Sequence, residues 1–133
     1  MPRPDPDLVA RIAGRAARVR ERIEAACRRV GRSPDEVTLV AVTKTFPLEV
    51  VRVAAEAGLY DLGENRVQEL VEKAVAHPGE GRGGTVRWHL IGSLQRNKAR
   101  DAAAYADRFH ALDSLRLAEM LDRRAAQAGR VLP

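Results

Sequence analysis

Val37-Thr38-Leu39-Val40-Ala41-Val42-Thr43-Lys44 is the stretch on which the reading of this chain turns. Its first six residues are nearly all apolar and rich in β-branched side chains. Such a run predicts a parallel strand over 37–42, covered on both faces. Upstream, Leu8, Ile12, Ala16, Val19, Ile23, Cys27 and Val30 recur every three or four residues, the spacing of one apolar stripe on a long helix. Gly31 ends that helix. Downstream the pattern repeats. A helix runs from Pro47 to Ala57, followed by a weak strand over 59–62 and a helix carrying Val67, Leu70, Val71, Ala74 and Val75. A strand over 86–91, a helix over 97–106, a strand over 109–112 and a helix from Ser114 to Gln127 complete the series. Val131-Leu132-Pro133 reads as the start of a fifth strand. One helix and then four βα units imply a parallel sheet with right-handed crossovers. Periodicity leaves two architectures open, a doubly wound sheet and a (β/α)8 barrel. A whole barrel takes ~250 residues, so this chain supplies about half of one.

Composition narrows the function classes. Of 133 residues, 45% are apolar and 31% charged, as in an ordinary globular protein. No apolar run approaches the ~20 residues that span a bilayer. Met1-Pro2-Arg3-Pro4-Asp5-Pro6-Asp7 lacks the apolar stretch of a signal peptide, so a cytoplasmic location is expected. Cys27, the single cysteine, falls on the helical apolar face and reads as a small core residue. The net charge is +5, and nine arginines lie between Arg3 and Arg32. They read as a solvated helix face. No aromatic residue lies among them to stack on bases, and no nucleic-acid-binding signature is present, so nucleic acid is not an expected partner. The glycine-rich Gly79–Gly84 segment is not a phosphate loop. It lacks the lysine–hydroxyl pair and leads into a strand rather than a helix.

The chain has three lysines, Lys44, Lys73 and Lys98. Lys73 reads as solvated on the polar side of its helix, and Lys98 as solvated too. Lys44 differs, because it leaves the C-terminal end of the first strand, where α/β folds bind ligands. Beside low-dielectric walls its ammonium form is disfavoured, and a neutral amine condenses with an aldehyde. Arginine, always protonated, cannot replace it. By itself this placement also suits a lysine that merely snorkels to solvent.

Four segments together carry more. They are Val40-Ala41-Val42-Thr43-Lys44-Thr45, Leu62-Gly63-Glu64-Asn65-Arg66-Val67-Gln68-Glu69, Trp88-His89-Leu90-Ile91-Gly92-Ser93-Leu94-Gln95-Arg96-Asn97-Lys98, and His110-Ala111-Leu112-Asp113-Ser114. In residue type, order and spacing they resemble the pyridoxal phosphate homeostasis protein family (YggS-type, also called proline synthase co-transcribed homologues), over residues 8 to 133. The resemblance implies a (β/α)8 TIM barrel of the alanine racemase N-terminal type. Residues 1–133 would be its first half, stopping at the start of the fifth strand. It implies pyridoxal 5′-phosphate (PLP) as cofactor, carried as a Schiff base on Lys44, and a role in intracellular vitamin B6 homeostasis. It implies no established catalytic reaction.

Asn65 and His89 are the further cofactor-binding candidates. Asn65 either bonds the cofactor or caps the next helix. His89 either faces the barrel interior near the pyridine ring or is a core histidine satisfied by backbone groups. Gly92 would allow a ligand to approach closely, and Asn97 would cap the helix that follows. The family's phosphate grip comes from the last barrel strands, which lie beyond Pro133. Weak PLP binding and self-association through the open half-barrel are therefore expected. The alternative function is a PLP-dependent, racemase-like enzyme. Such an enzyme needs a second acid–base group, and neither Tyr60 nor Tyr105 is convincingly placed to be one.

Overall fold

The computed structural model describes residues 3–77 and 85–133, so the glycine-rich 79–84 segment lies outside the described residues. Five helices and four strands alternate along the chain: α1 (Pro6–Arg29), β1 (Ala41–Val42), α2 (Leu48–Glu56), β2 (Asp61–Glu64), α3 (Val67–Ala76), β3 (Arg87–Leu90), α4 (Ala99–Tyr105), β4 (Arg108–Phe109) and α5 (Leu115–Gln127). Single 3-10 turns at Pro34–Glu36 and Arg96–Lys98 precede β1 and α4. Local chemistry sets the helix ends. Asp5 accepts a hydrogen bond from the Asp7 amide, Pro6 opens α1, and Arg28 and Arg29 sit in its last turn, where the helix dipole favours cations. Ser114 caps α5 through the Leu117 amide. Gly31, where the chain leaves α1, has a φ of 66°, a left-handed conformation that glycine adopts without cost.

The strands form one parallel sheet in the order β1-β2-β3-β4. Strand order follows chain order, so no reversal of direction, the mark of a doubly wound sheet, occurs among these four strands. Register sorts the side chains into two faces. Ala41, Leu62, Trp88 and Leu90 point to the helical side and join one core with residues from all five helices, among them Ala16, Val51, Leu70, Ala102, Leu117 and Leu121. On the opposite face lie Val42, Gly63, His89 and Arg108, one register row running across all four strands.

Strand positions are where sequence and structure differ most. The apolar run 37–42 supplies only the two ladder residues of β1. Ala41 pairs with Leu62, and β2 begins one residue earlier, so Val37 to Leu39 lie outside the ladder, and the Val37 amide donates instead to the Pro34 carbonyl at 3.1 Å. Coverage on both faces is also corrected, because Val42 on the open side is 49% exposed. β2 lies two residues later than expected and β4 is shorter. The chain end does return to the sheet, with the Phe109 amide donating to the Pro133 carbonyl at 3.0 Å and Leu132 packed on the core.

Leu62, fully buried in the second strand, carries the fold's packing. Leu62→Ala is expected to lower unfolding free energy by about 2–5 kcal/mol in urea titration. Leu115→Ala, at a position 76% exposed, should stay within about 0.5 kcal/mol of the parent.

Candidate functional site

β1 ends in a tight turn. The Thr43 amide adds one more ladder bond to the Gly63 carbonyl at 2.9 Å, and the Phe46 amide closes the turn on the Thr43 carbonyl at 3.2 Å. Lys44 sits in this turn at the C-terminal end of the sheet and is exposed. The low-dielectric walls expected around it are therefore absent among the described residues, because the described helices all pack on the other side of the sheet. Thr45 follows with a φ of 67°. That is a left-handed conformation strongly disfavoured for a β-branched residue.

Beneath the turn lies a group of charges. Thr43 Oγ1 donates to Glu64 Oε1 at 2.7 Å, and the Lys73 ammonium donates to that same oxygen at 2.5 Å, to the Thr43 carbonyl at 2.8 Å and to Glu69 Oε1 at 3.0 Å. Glu69 Oε1 also accepts from the Thr45 amide at 2.8 Å. Glu64 is 0% exposed and Lys73 6%, which overturns the reading of Lys73 as solvated. The cause is Glu64. Strand alternation puts it on the helical face two residues after Leu62, and a buried carboxylate needs a cation. Glu69 is held below the usual carboxylate range. Burial opposes this most strongly, but the hydrogen bonds from Lys73 and the Thr45 amide, with the charges of Lys73 and Arg66, outweigh it.

The open face carries a second chain of polar groups. Arg87 clasps Asp61 with two bonds, Nε to Oδ1 at 2.9 Å and a terminal nitrogen to Oδ2 at 2.6 Å. His89 Nε2 lies 2.9 Å from Asp61 Oδ1, and His89 Nδ1 lies 2.9 Å from His110 Nε2, with the two rings stacked. His89 is thus buried on the open face, and side chains rather than backbone groups satisfy both its nitrogens. Arg87 lowers the Asp61 pKa most, against burial and with help from His89, so Asp61 is a carboxylate that accepts from His89 Nε2–H. His89 Nδ1 and His110 Nε2 then hold one proton between them. Asp61 and His110 had not been singled out as site residues. Their signal was present in the alternation Asp61–Gly63, Arg87–His89, Arg108–His110, which puts all six on one face.

Asn65 is exposed just past β2 and does not cap α3, whose capping residue is Arg66 without a side-chain bond. A Cβ at Gly92 would overlap the Asn65 carbonyl oxygen and side chain. Gly92 therefore permits the close approach of Asn65. Asn97 lies within the 3-10 turn, and Lys98 precedes α4 instead. Lys98 is exposed, as expected. Asn65, Arg66, Gly92, Ser93 and Lys98 line a groove of about 710 Å³ at the C-terminal ends of β2 and β3. Lys44, Asn65 and Ile91 each lie two residues beyond a shared register row, so all three belong to the rim of the same sheet end.

The comparisons with known proteins point in one direction. The pyridoxal phosphate homeostasis protein of Escherichia coli strain K12 is 46% identical to this chain over 117 residues, 87% of this chain and 50% of that protein. The chain is a homologue of pyridoxal phosphate homeostasis proteins. It spans about half the length of the curated relatives it matches. Among solved structures, PipY of Synechococcus elongatus PCC7942 with PLP bound is 41% identical, with a TM-score of 0.67 over 81% of this chain and 50% of PipY. An unknown protein from Bifidobacterium adolescentis is 34% identical, with a TM-score of 0.78 over 96% of this chain and 55% of its own. No protein-family model matches the chain. No described helix is long and apolar enough to cross a membrane.

The histidine chain makes stability depend on pH. Burial, helped by the charges of His89 and Arg108, holds the His110 pKa below its ordinary value of 6.5. The unfolded chain therefore takes up a proton at a pH where the folded chain does not, and stability falls as pH drops below 6.5 towards the folded value. Asp61 has a depressed pKa, so it adds a loss only near and below its ordinary 3.8. Melting temperature is expected to decline between about pH 7 and pH 5, with a shallower slope in His110→Gln, which keeps a donor but does not titrate. Equal slopes in the two proteins would remove His110 from this account.

Proposed function

We propose that residues 1–133 form part of a PLP-binding (β/α)8 barrel of a vitamin B6 homeostasis protein, with the cofactor held by Lys44 as a Schiff base. One observation carries the reading. In a chain 46% identical to a pyridoxal phosphate homeostasis protein, an exposed primary amine stands at the C-terminal end of a parallel strand. The residues suit the group. PLP supplies an aldehyde that condenses with an amine, and Lys44 is the lysine that lies within two residues of a described strand end. Lys73 is committed to two carboxylates, and Lys98 lies beyond β3. The sequential order of the four parallel strands supports a barrel over a doubly wound sheet.

Asn65 and His89 are proposed as the neighbouring cofactor residues. Asn65 presents an amide at the groove beside Lys98 and Arg66, a setting that favours an anionic ligand. His89 has both nitrogens engaged, so its contribution is a fixed, buried ring under the rim rather than a proton donor of its own. The homeostasis names of the relatives support a carrier without catalysis.

Mixing the chain with PLP is expected to give an absorbance band of an imine that Lys44→Ala lacks, while Lys98→Ala retains it. A band of equal strength in Lys44→Ala would reject Lys44 as the attachment point.

A further inference from the structure

We propose that Glu64, Glu69 and Lys73 form a positioning device that holds the Lys44 turn in the one backbone conformation that presents its amine. The proposal rests on the assignment of Lys44 as the PLP-bearing residue and extends it to residues that touch neither Lys44 nor a ligand.

Both neighbours of Lys44 are tied to α3. On one side the Thr43 carbonyl accepts from the Lys73 ammonium at 2.8 Å, and the Thr43 hydroxyl donates to Glu64 at 2.7 Å. On the other side the Thr45 amide donates to Glu69 at 2.8 Å. Lys73 joins the two carboxylates, so the ties on either side of Lys44 share one cation. The Lys44 side chain is exposed and makes no hydrogen bond or ion pair among the described residues, which leaves its amine free while its backbone is fixed.

The turn needs this support. Thr45 is the described non-glycine residue with positive φ, 67°, and it carries a branched Cβ. Such a conformation is strained and persists only where surrounding bonds over-determine it. Without the ties, Thr45 would relax towards negative φ and turn the preceding peptide, redirecting Lys44. Phe46, immediately after, is 54% exposed, so its side chain adds little packing to resist that motion. The ion pair lies on the helical side of the sheet and the amine on the rim, so the device acts through the backbone alone.

Glu69 is the residue to change, because it is partly exposed and its removal leaves the buried Glu64–Lys73 pair intact. In Glu69→Ala of the whole chain, melting temperature and circular dichroism should stay near the parent's. Hydrogen exchange of the Thr45 amide should accelerate by about tenfold, the loss of one charge-assisted hydrogen bond. The PLP concentration giving half of the imine band should rise by roughly the same factor. Glu69→Gln keeps an acceptor oxygen and should recover most of both effects. A folded Glu69→Ala with unchanged Thr45 exchange and unchanged PLP titration overturns the proposal, as does a loss of PLP binding that Glu69→Gln fails to recover. Should Glu69→Ala not fold, Glu64→Gln combined with Lys73→Met removes the Lys73 ties to Thr43 and Glu69 without stranding a buried charge, and an unchanged PLP titration in that variant overturns the proposal. If the parent shows no Lys44-dependent band, the PLP assignment fails, while Thr45 exchange still decides whether the device exists.

Discussion

The Lys73 ammonium lies between two carboxylates and a backbone carbonyl in a site that solvent hardly reaches. Taking a lysine and a glutamate out of water costs several kcal/mol for each ion, and their attraction recovers this only when the geometry is close and the remaining hydrogen bonds are made. Here Lys73 has three oxygens for its three protons. Glu64 has Lys73 and Thr43 on one oxygen, while its other oxygen, Oε2, is buried with no partner among the described residues. The pair is thus demanding rather than generous to stability. Removing one partner alone strands a charge, at about 3–5 kcal/mol. Its structural return is local. It joins the end of β1 to β2 and α3 at the point where the chain must turn sharply from strand to helix.

Everything at the rim follows from that junction. β1 is an edge strand of two ladder residues, too short to orient what comes after it by sheet pairing alone. The additional ladder bond at Thr43, the ties to Lys73 and Glu69, and the left-handed Thr45 together take over the task. On the other side of the sheet, Arg87, Asp61, His89 and His110 form a continuous polar chain across β2, β3 and β4. One sheet therefore separates two electrostatic systems. The one under the helices fixes backbone, and the one on the open face fixes imidazole rings.

Much of this was legible in the sequence, for identifiable reasons. The apolar, β-branched run before Lys44 located the first strand and the amine at its end, because parallel strands advertise themselves by composition. The cappings by Ser114 and Gly31 were visible because single residues determine them. Lys73 was misread because the helix face was drawn through Val67, Leu70, Val71, Ala74 and Val75. Val75 proves 61% exposed, and the buried row runs from Leu70 to Lys73 instead. That row makes sense only with Glu64 in place, nine residues earlier on a strand whose position had been set two residues too early. Correct placement of Leu62 on the core side would have put Glu64 there too, and a buried carboxylate would have called for a lysine. The left-handed Thr45 left no trace in composition, since threonine is among the residues least expected to adopt it.

Whether Lys44 is the amine that takes PLP is decided by where the cofactor attaches. The chain mixed with PLP is reduced with borohydride, digested and mapped by mass spectrometry. The phosphopyridoxyl group is expected on the peptide carrying Lys44, well above any label on Lys73 or Lys98. Label spread evenly over the three lysines, or concentrated on Lys98, would contradict it.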